Sequence, residues 1–519
     1  MSASPSVPLS LSLPASRLAA LLAEHWSLPG AEITPLAGGL NSHVWAVTSG
    51  ERRYVAKAVA ASAGEEFTQG LEAAARVEAA GLAAGAPLPA ADGSVTAASD
   101  GHVLALLRHV PGEPVHGRGE ADLRRIGDTL ALAHLALGTA TPRAELVPAI
   151  DQGPHLGVRA WVRPALARVR ECAAGLDAAA LTWGGLHGDP APDAFLLDGA
   201  SGECGVIDWG AYLVGPRVYD LASAVMYAGG IGRADALVAG YLERGAVGAG
   251  EAERALEVLL RWRWAVQATY FAWRISVNEL TGFPDASHNE RGLTAAKLRL
   301  APPEIRAYRA SDEQSWLRCR LNAFFDTCYY DDVWTSKEPQ EADCVVELVA
   351  VDEGNVVVGI LDVAVRGELA TIECVCVLPD YRGAGLATRL LREACTRLAG
   401  SGAQVLDAWT REDEAAIGWY TRIGFTEDFT YLHVYSGYDG GVRMTGERPP
   451  YRPMAVFAHA AREHEKQARA EYEKVYVCRR MTQPLPVARF AELAESECAE
   501  SRCAESGFAV SECAGQDAP

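Results

Sequence analysis

Two carboxylates held on neighbouring loops are what phosphoryl transfer asks of a protein. The stretch LHGDPAPDAFLLDGASGECGVIDWG places Asp189 before one short strand and Asp208 after a second. In such a pair one acid orients the attacking hydroxyl and the other holds Mg²⁺ against the nucleotide phosphates. Upstream, Lys57 lies in the apolar strand YVAKAV, where its ammonium neutralises phosphate charge, and a helix acid such as Glu72 would hold it in place. Singly these are ordinary features: a strand lysine is usually a solvated edge charge, and the pair Gly38-Gly39 is usually a turn. Their order along the chain is the informative part.

A second constellation lies in the last third. VCVLPDYRGAGLATRLL runs from strand through turn into helix, with Arg382, Gly383, Ala384, Gly385, Leu386 and Ala387 in the turn. Small residues there let backbone N–H groups approach a pyrophosphate at a helix N-terminus, where the dipole and unpaired donors favour an anion. Glu373 interrupts the apolar strand just before it, and EDEAAIGWYTRIGF places Tyr420 on a later helix that ends in Gly-Phe.

These residues need elements to position them. ITPLAGGLNSHVWAVTSG and RRYVAKAVA read as strands, GLEAAARVEAAGL as a helix and HVLALLRHV as a strand. From about 120 to 300 the pattern is mainly helical, interrupted by the Asp189–Asp208 island. That is a small sheet-rich lobe before a larger helical one. TGFPDASHNERGLTAAKLRLAPPEIR mixes Pro, Gly and charge, which places a boundary near 300. Beyond it strands alternate with helices around a sheet, the α/β pattern. FAHAAREHEKQARAEYEKV and VYVCRRM read as a last helix and strand. The tail from 486 repeats small and acidic residues and reads as disordered.

Composition narrows the function. At about 150 residues per domain, 519 residues suit about three domain-sized units. The net charge of −20 argues against a nucleic-acid binder, which needs clustered Lys and Arg, and suits cationic partners. Apolar runs are interrupted by charge well before 18 residues, so no membrane span is expected, and the N-terminus reads as a polar lead into a helix. The twelve cysteines form no C-x-x-C pair. Cys204, Cys374 and Cys376 lie in strand-like runs as expected buried free thiols, which fits a reducing cytoplasm.

Residues 30–300 resemble the aminoglycoside phosphotransferase and choline kinase branch of the protein-kinase-like fold. The resemblance is carried by LAGGLNSHVW, YVAKAV, LLRHVPGEPV, LHGDPAPDAF, GVIDWG and GPRVYDLA. It implies that Asp189 is the catalytic base and Asp208 a metal ligand. Lys57 would meet the α/β-phosphates with Glu72 as its partner, or else Glu66 or Glu78. His187 and Asp220 would hold the catalytic loop and the helix after it, and LLRHVPGEPV would be the purine hinge. The family pattern has a metal-binding Asn five residues after the catalytic Asp; here that position is Ala194. Asp193 is the adjacent candidate for metal, in a loop stiffened by Pro190 and Pro192.

Residues 305–483 resemble the GNAT acyltransferase superfamily. The R-x-x-G-x-A signature falls on Arg382, Gly385 and Ala387, and the later motif on Ala416, Tyr420, Gly424 and Phe425, with Asp413 where the family most often has Asn. The resemblance implies that backbone groups near Val375 and Val377 meet the pantetheine arm. Asp413 would reach the same arm, Tyr420 would protonate the leaving thiolate, and Glu373 would accept the amine proton. The alternatives are a packed aromatic for Tyr420 and an arginine partner for Glu373.

The expected fold is therefore an α+β kinase-like bilobal domain (1–300, with lobes about 20–112 and 113–300), an α/β GNAT domain (301–485) and a tail (486–519). The expected function is bifunctional. ATP (or GTP) with Mg²⁺ would phosphorylate a hydroxyl, and acetyl-CoA would acetylate an amine, on a small cationic amine/hydroxyl compound such as an aminoglycoside-like antibiotic, in the cytoplasm. The alternatives are an active acetyltransferase with a degenerate kinase-like half, and a non-enzymatic binding or scaffold protein.

Overall fold

Alternating apolar residues in HVWAVTS and RRYVAKAVA bury one side of each strand, and the Gly50 turn between them has φ +61, which favours glycine. The computed structural model describes residues 13–36, 42–99, 101–117, 119–150, 153–283, 285–330, 332–383, 385–436, 456–472 and 474–487. Gly38, Gly39, Ala384 and the tail after 487 lie outside the described residues. The chain divides into two compact units, Met1–Ala301 and Pro302–Pro519.

The first unit opens with α1 (Ala15–Trp26) and a five-stranded sheet of β1 (Glu32–Pro35), β2 (His43–Ser49), β3 (Arg52–Ala60), β4 (Ala97–Ser99) and β5 (His102–Arg108), in the order β1-β2-β3-β5-β4. Leu18, Leu21 and Leu22 of α1 pack on Trp45, Val47, Ala56 and Leu104 of one sheet face. Each leucine contributes about 1.5–3 kcal/mol by its burial. α2 (Gly64–Ala79) covers the other face through Phe67 and Leu71.

The helical part follows: β6 (Glu113–Pro114), α3 (Glu120–Leu137), α4 (Val162–Ala173), β7 (Trp183–Leu186), β8 (Phe195–Leu197), β9 (Cys204–Val206), β10 (Leu213–Pro216), α5 (Arg217–Tyr227), α6 (Asp235–Glu243), α7 (Ala249–Ser276) and α8 (Ser287–Leu300). The Asp189–Asp208 island is two small sheets, β10-β7 and β6-β8-β9, laid on a core drawn from α3, α4, α5 and α7.

The second unit is one eight-stranded sheet with helices on both faces. Its elements are β11 (Glu304–Ala307), α9 (Glu313–Phe324), β12 (Cys344–Val351), β13 (Val357–Arg366), β14 (Leu369–Val377), α10 (Leu386–Leu398), β15 (Val405–Thr410), α11 (Glu414–Arg422), β16 (Thr426–Ser436), β17 (Val456–Ala461), α12 (Glu465–Glu471) and β18 (Lys474–Pro484). The strand order is β11-β12-β13-β14-β15-β18-β16-β17. α9 covers one face through Trp316 and Cys319, and α10 the other through Leu390, Leu391 and Ala394.

One element differs from the sequence reading. FAHAA is the strand β17, paired to β16 with His459 opposite His433, and the helix begins only at Glu465. The two imidazoles stack at 4.9 Å, a cross-strand pairing that helical periodicity in one segment does not reveal. Cys374 and Cys376 are buried as expected, whereas Cys204 is half-buried. Among the described residues no helix is long and apolar enough to cross a membrane.

Candidate active sites

β7, buried along its whole length, delivers the loop His187–Gly188–Asp189. The loop is held by Asp220 in the first turn of α5, which is 0% exposed. The backbone N–H of His187 donates to Asp220 Oδ2 at 2.6 Å and that of Gly188 to Oδ1 at 3.0 Å. His134 Nε2 lies 3.0 Å from the same carboxylate and its Nδ1 2.7 Å from the Tyr241 hydroxyl. Burial lowers the His134 pKa against the opposing pull of Asp220, so the ring is neutral. A carboxylate only accepts, so the ring proton sits on Nε2 and Nδ1 accepts from Tyr241.

The same loop is tied to the strand that carries Asp208. His187 Nε2 donates to the Ile207 carbonyl at 2.8 Å. A Cβ on Gly188 would lie 1.9 Å from the Ala211 carbonyl oxygen, so the two loops touch where only glycine fits. Asp208 sits at φ +67, a left-handed conformation, and the next residue, Trp209, is buried with its Nε1 donating to the Ala84 carbonyl. Lys57 Nζ lies 2.5 Å from Asp208 Oδ1. The surrounding protein opposes ionisation of Asp208, but the Lys57 ammonium outweighs this and holds the carboxyl below its ordinary value.

Asp189 is exposed. Its Oδ1 accepts from the Tyr227 hydroxyl at 2.5 Å and from Arg263 Nη2 at 2.9 Å. The sequence reading missed both donors. Arg263 stands in the apolar run of α7, which was a signal, but which of Arg261 and Arg263 faces inward is decided only by the packing of that helix.

The Glu72 expectation is corrected. Among the described residues no ion pair joins Lys57 to Glu72, Glu66 or Glu78; Glu72 is exposed, and Glu78 pairs with Arg108. α2 turns Gly70, Ala73, Ala74 and Val77 inward, and a Cβ on Gly70 would lie 2.3 Å from the Trp209 carbonyl oxygen. At about 100° per residue, Glu72 is turned away from that face.

Ala194 is 5% exposed, with its carbonyl accepting from the Ile207 N–H at 2.8 Å and its methyl in the core. Asp193 is exposed on the preceding turn residue, and its charge helps burial raise the Tyr227 pKa. Among the described residues no three His, Cys, Asp or Glu side chains form a ready metal cage. Asp208, whose side chain is 61% exposed, and Asp193 are each exposed carboxylates of the kind Mg²⁺ takes, one or two at a time, with phosphate oxygens and water completing its shell.

In the second unit β14 and β15 run parallel from Leu369↔Val405 to Ile372↔Ala408 and then part. The register between β13 and β14 shifts at Glu373, so this extra residue bends β14 away from its neighbour. Val375 and Val377 follow, paired to Leu361 and Gly359 on β13 and to nothing described on the other edge. That edge leads into a turn with Gly383 and Gly385 both at φ +78 and then into α10, which opens with buried Leu386 and half-buried Ala387. A Cβ on either glycine would meet nothing within 4 Å, so the glycines serve backbone conformation and the helix tip is open.

Side chains around this cradle have their own tasks. Arg382 donates to the carbonyls of Val377 and Ala323, which braces the turn. Asp413 caps α11, accepting from the Ala416 N–H at 3.0 Å. Glu373 accepts from Arg366 Nη1 at 2.8 Å, the arginine partnership weighed above. Tyr420 is buried against Phe425 and Trp419, and burial pushes its phenol well up, so it stays protonated. A further carboxyl, Asp362, lies across the β13–β14 pairing from Cys374 and 3.0 Å from Lys337; burial raises its pKa to about 6.

The profile of the phosphotransferase enzyme family matches residues 32–257, and that of the GNAT acetyltransferase family matches residues 307–425. The chain thus joins a phosphotransferase-family domain of kinase-like fold to a GNAT domain, both from families of transferases. Similar solved structures include the amicoumacin kinase hAmiN in complex with AMP-PNP, Ca²⁺ and Ami (14% identity, 52% of this chain, 87% of that one, TM-score 0.41). Another is spectinomycin phosphotransferase APH(9)-Ia with ADP and spectinomycin (11%, 55% and 93%, TM-score 0.39). A third is the ribosomal-protein-S18-alanine N-acetyltransferase of Escherichia coli (16%, 36% and 95%, TM-score 0.24). No curated protein matches the chain.

Proposed function

We propose that the chain is a bifunctional small-molecule transferase. Its first domain, taken as 1–300, would phosphorylate a hydroxyl with ATP or GTP, and its second, taken as 301–485, would acetylate an amine with acetyl-CoA. The acceptor class is a cationic amine/hydroxyl compound, aminoglycoside-like, met in the cytoplasm, and the biological outcome is antibiotic resistance. The observation that carries the reading is the linkage Lys57–Asp208–Ile207–His187, which holds the lysine and the second acid beside the Asp189 loop.

Mg²⁺ bound with the nucleotide would supply charge neutralisation at the phosphoryl oxygens, with Asp208 and Asp193 as its holders. Lys57, released from Asp208, would meet the phosphates. Asp189 accepts the proton of the acceptor hydroxyl. In the second domain the free edge of β14 at Val375 and Val377 and the N–H groups of Gly383, Gly385, Leu386 and Ala387 hold the carrier arm; Arg382 keeps that turn in shape and Asp413 caps the helix bearing Tyr420. Tyr420 donates its proton to the departing sulfur, and Glu373, on leaving Arg366, takes the amine proton. Acetylation deletes a positive charge and phosphorylation adds negative charge, and either weakens a polycation's hold on nucleic acid.

The test mixes the full chain with hygromycin B, spectinomycin and other aminoglycosides, with Mg²⁺–ATP or acetyl-CoA in turn, and reads acceptor mass. A phosphoryl gain absent in Asp189→Asn and an acetyl gain absent in Tyr420→Phe support the reading. Ala194, a buried methyl in place of the second metal ligand, favours a second reading in which only the acetyltransferase turns over and the kinase-like half binds substrate or nucleotide. Acetylation without ADP release would select it. No turnover with either donor would leave the binding or scaffold protein.

A further inference from the structure

Asp189 is gripped from one side only. Tyr227 and Arg263 both end on Oδ1, and among the described residues no hydrogen bond ends on Oδ2, although the side chain is 49% exposed. The grip is a closed triangle, because Arg263 Nη2 also lies 3.3 Å from the Tyr227 hydroxyl. Its third corner is buried: Arg263 is 7% exposed on α7, with Nη1 donating to Gln267 Oε1 at 3.2 Å and the guanidinium 5.8 Å from the Tyr227 ring centre. Asp189 is its only ion-pair partner among the described residues. A buried guanidinium with one counter-charge resists leaving it, because an uncompensated buried charge is costly. Burial also raises the Tyr227 pKa, so that hydroxyl keeps its proton and remains a donor.

We propose that Arg263 and Tyr227 are positioning residues of the phosphotransfer site. They fix Oδ1 of Asp189 and so turn Oδ2, the free oxygen, toward the acceptor hydroxyl. This rests on the phosphotransfer reading above. In the step they serve, the acceptor oxygen forms its bond to the terminal phosphorus of the nucleoside triphosphate. Its proton passes to Oδ2, and the bond from phosphorus to the bridging oxygen breaks with its electron pair left on the nucleoside diphosphate. An untethered carboxylate would rotate about its Cβ–Cγ bond and present either oxygen at varying angles, and displacements of about 1 Å cost on the order of a hundredfold in rate.

The experiment measures ADP release by the full chain with Mg²⁺–ATP and hygromycin B or spectinomycin, in Tyr227→Phe, Arg263→Lys and Arg263→Ala. Tyr227→Phe removes one donor and no volume in the core. The expected result is a fall in kcat of about tenfold for Tyr227→Phe and about a hundredfold for Arg263→Ala, with partial rescue in Arg263→Lys. The KM for ATP stays within about twofold, because neither residue meets the nucleotide. An unchanged kcat in Tyr227→Phe and Arg263→Lys, or a loss that appears as a higher KM for ATP, overturns the positioning role alone. A wild-type chain that releases no ADP with any acceptor overturns the phosphotransfer reading itself, and this role with it.

Discussion

The buried carboxylate of Asp220 accepts a 2.6 Å hydrogen bond from the backbone amide of His187, thirty-three positions earlier, and so fixes the loop that presents Asp189. Asp220→Ala removes the acceptor of two buried N–H groups and the partner of His134 together. Each charge-assisted bond is worth roughly 1.5–3 kcal/mol, so a stability loss of about 3–5 kcal/mol is expected. Urea unfolding of the full chain measures it, and a loss under about 1 kcal/mol sinks this account of the loop.

Lys57 and Asp208 form an ion pair with a half-buried ammonium and an open carboxylate. Lys57→Met and Asp208→Asn should each lower phosphotransfer by about a hundredfold or more, since the first removes the ammonium proposed to meet the phosphates and the second a carboxylate proposed to hold Mg²⁺. Acetyl transfer should be untouched. Loss of both activities in either variant would show that the effect is on folding.

In the proposed site Asp193 would stand in for the missing ligand beside Ala194. Asp193→Ala should raise the Mg²⁺ concentration that gives half-maximal ADP release by about tenfold, while the KM of the acceptor holds. A magnesium titration that superimposes on the wild type removes Asp193 from the metal site.

In the proposed acetyl transfer Tyr420 and Gly385 would divide the work. Tyr420→Phe should lower kcat by about ten- to a hundredfold with the KM for acetyl-CoA unchanged, because proton donation belongs to the transition state. Gly385→Ala strains a φ of +78 at the helix tip and should chiefly raise that KM. Thiol release from acetyl-CoA reads both, and interchanged effects would contradict the assignment.

His134 makes the first domain acid-sensitive. Burial lowers its folded pKa below the ordinary value of 6.5, so as pH falls through 6.5 the unfolded chain takes up a proton that the folded one refuses. Stability from this group is full above pH 6.5 and declines below it. His134→Gln should flatten the loss of melting temperature between pH 7.5 and 5. A variant whose melting profile keeps the wild-type slope rules His134 out as its source.

The sequence by itself determined which transferase families the two domains resemble. Lys57, Asp189 and Asp208 in that order, and the small-residue turn before a helix at Gly383–Gly385, are local patterns, because a loop acid or a helix tip is built from consecutive residues. Nearly every strand and helix around them was legible for the same reason, since periodicity is local. β17 escaped because FAHAA acquires its strand identity only by pairing with β16. Partnerships were decided by the tertiary structure. Glu72 was expected from the family resemblance as the partner of Lys57, yet the close approach at Gly70 turns it to solvent, and Glu373 finds Arg366 across a hairpin. The Arg263–Tyr227 grip on Asp189 joins residues 74 and 38 positions from it, on two different helices. A carboxylate's partner is set by distance in space, and only the packing of α5 and α7 against the Asp189 loop brings those donors within reach.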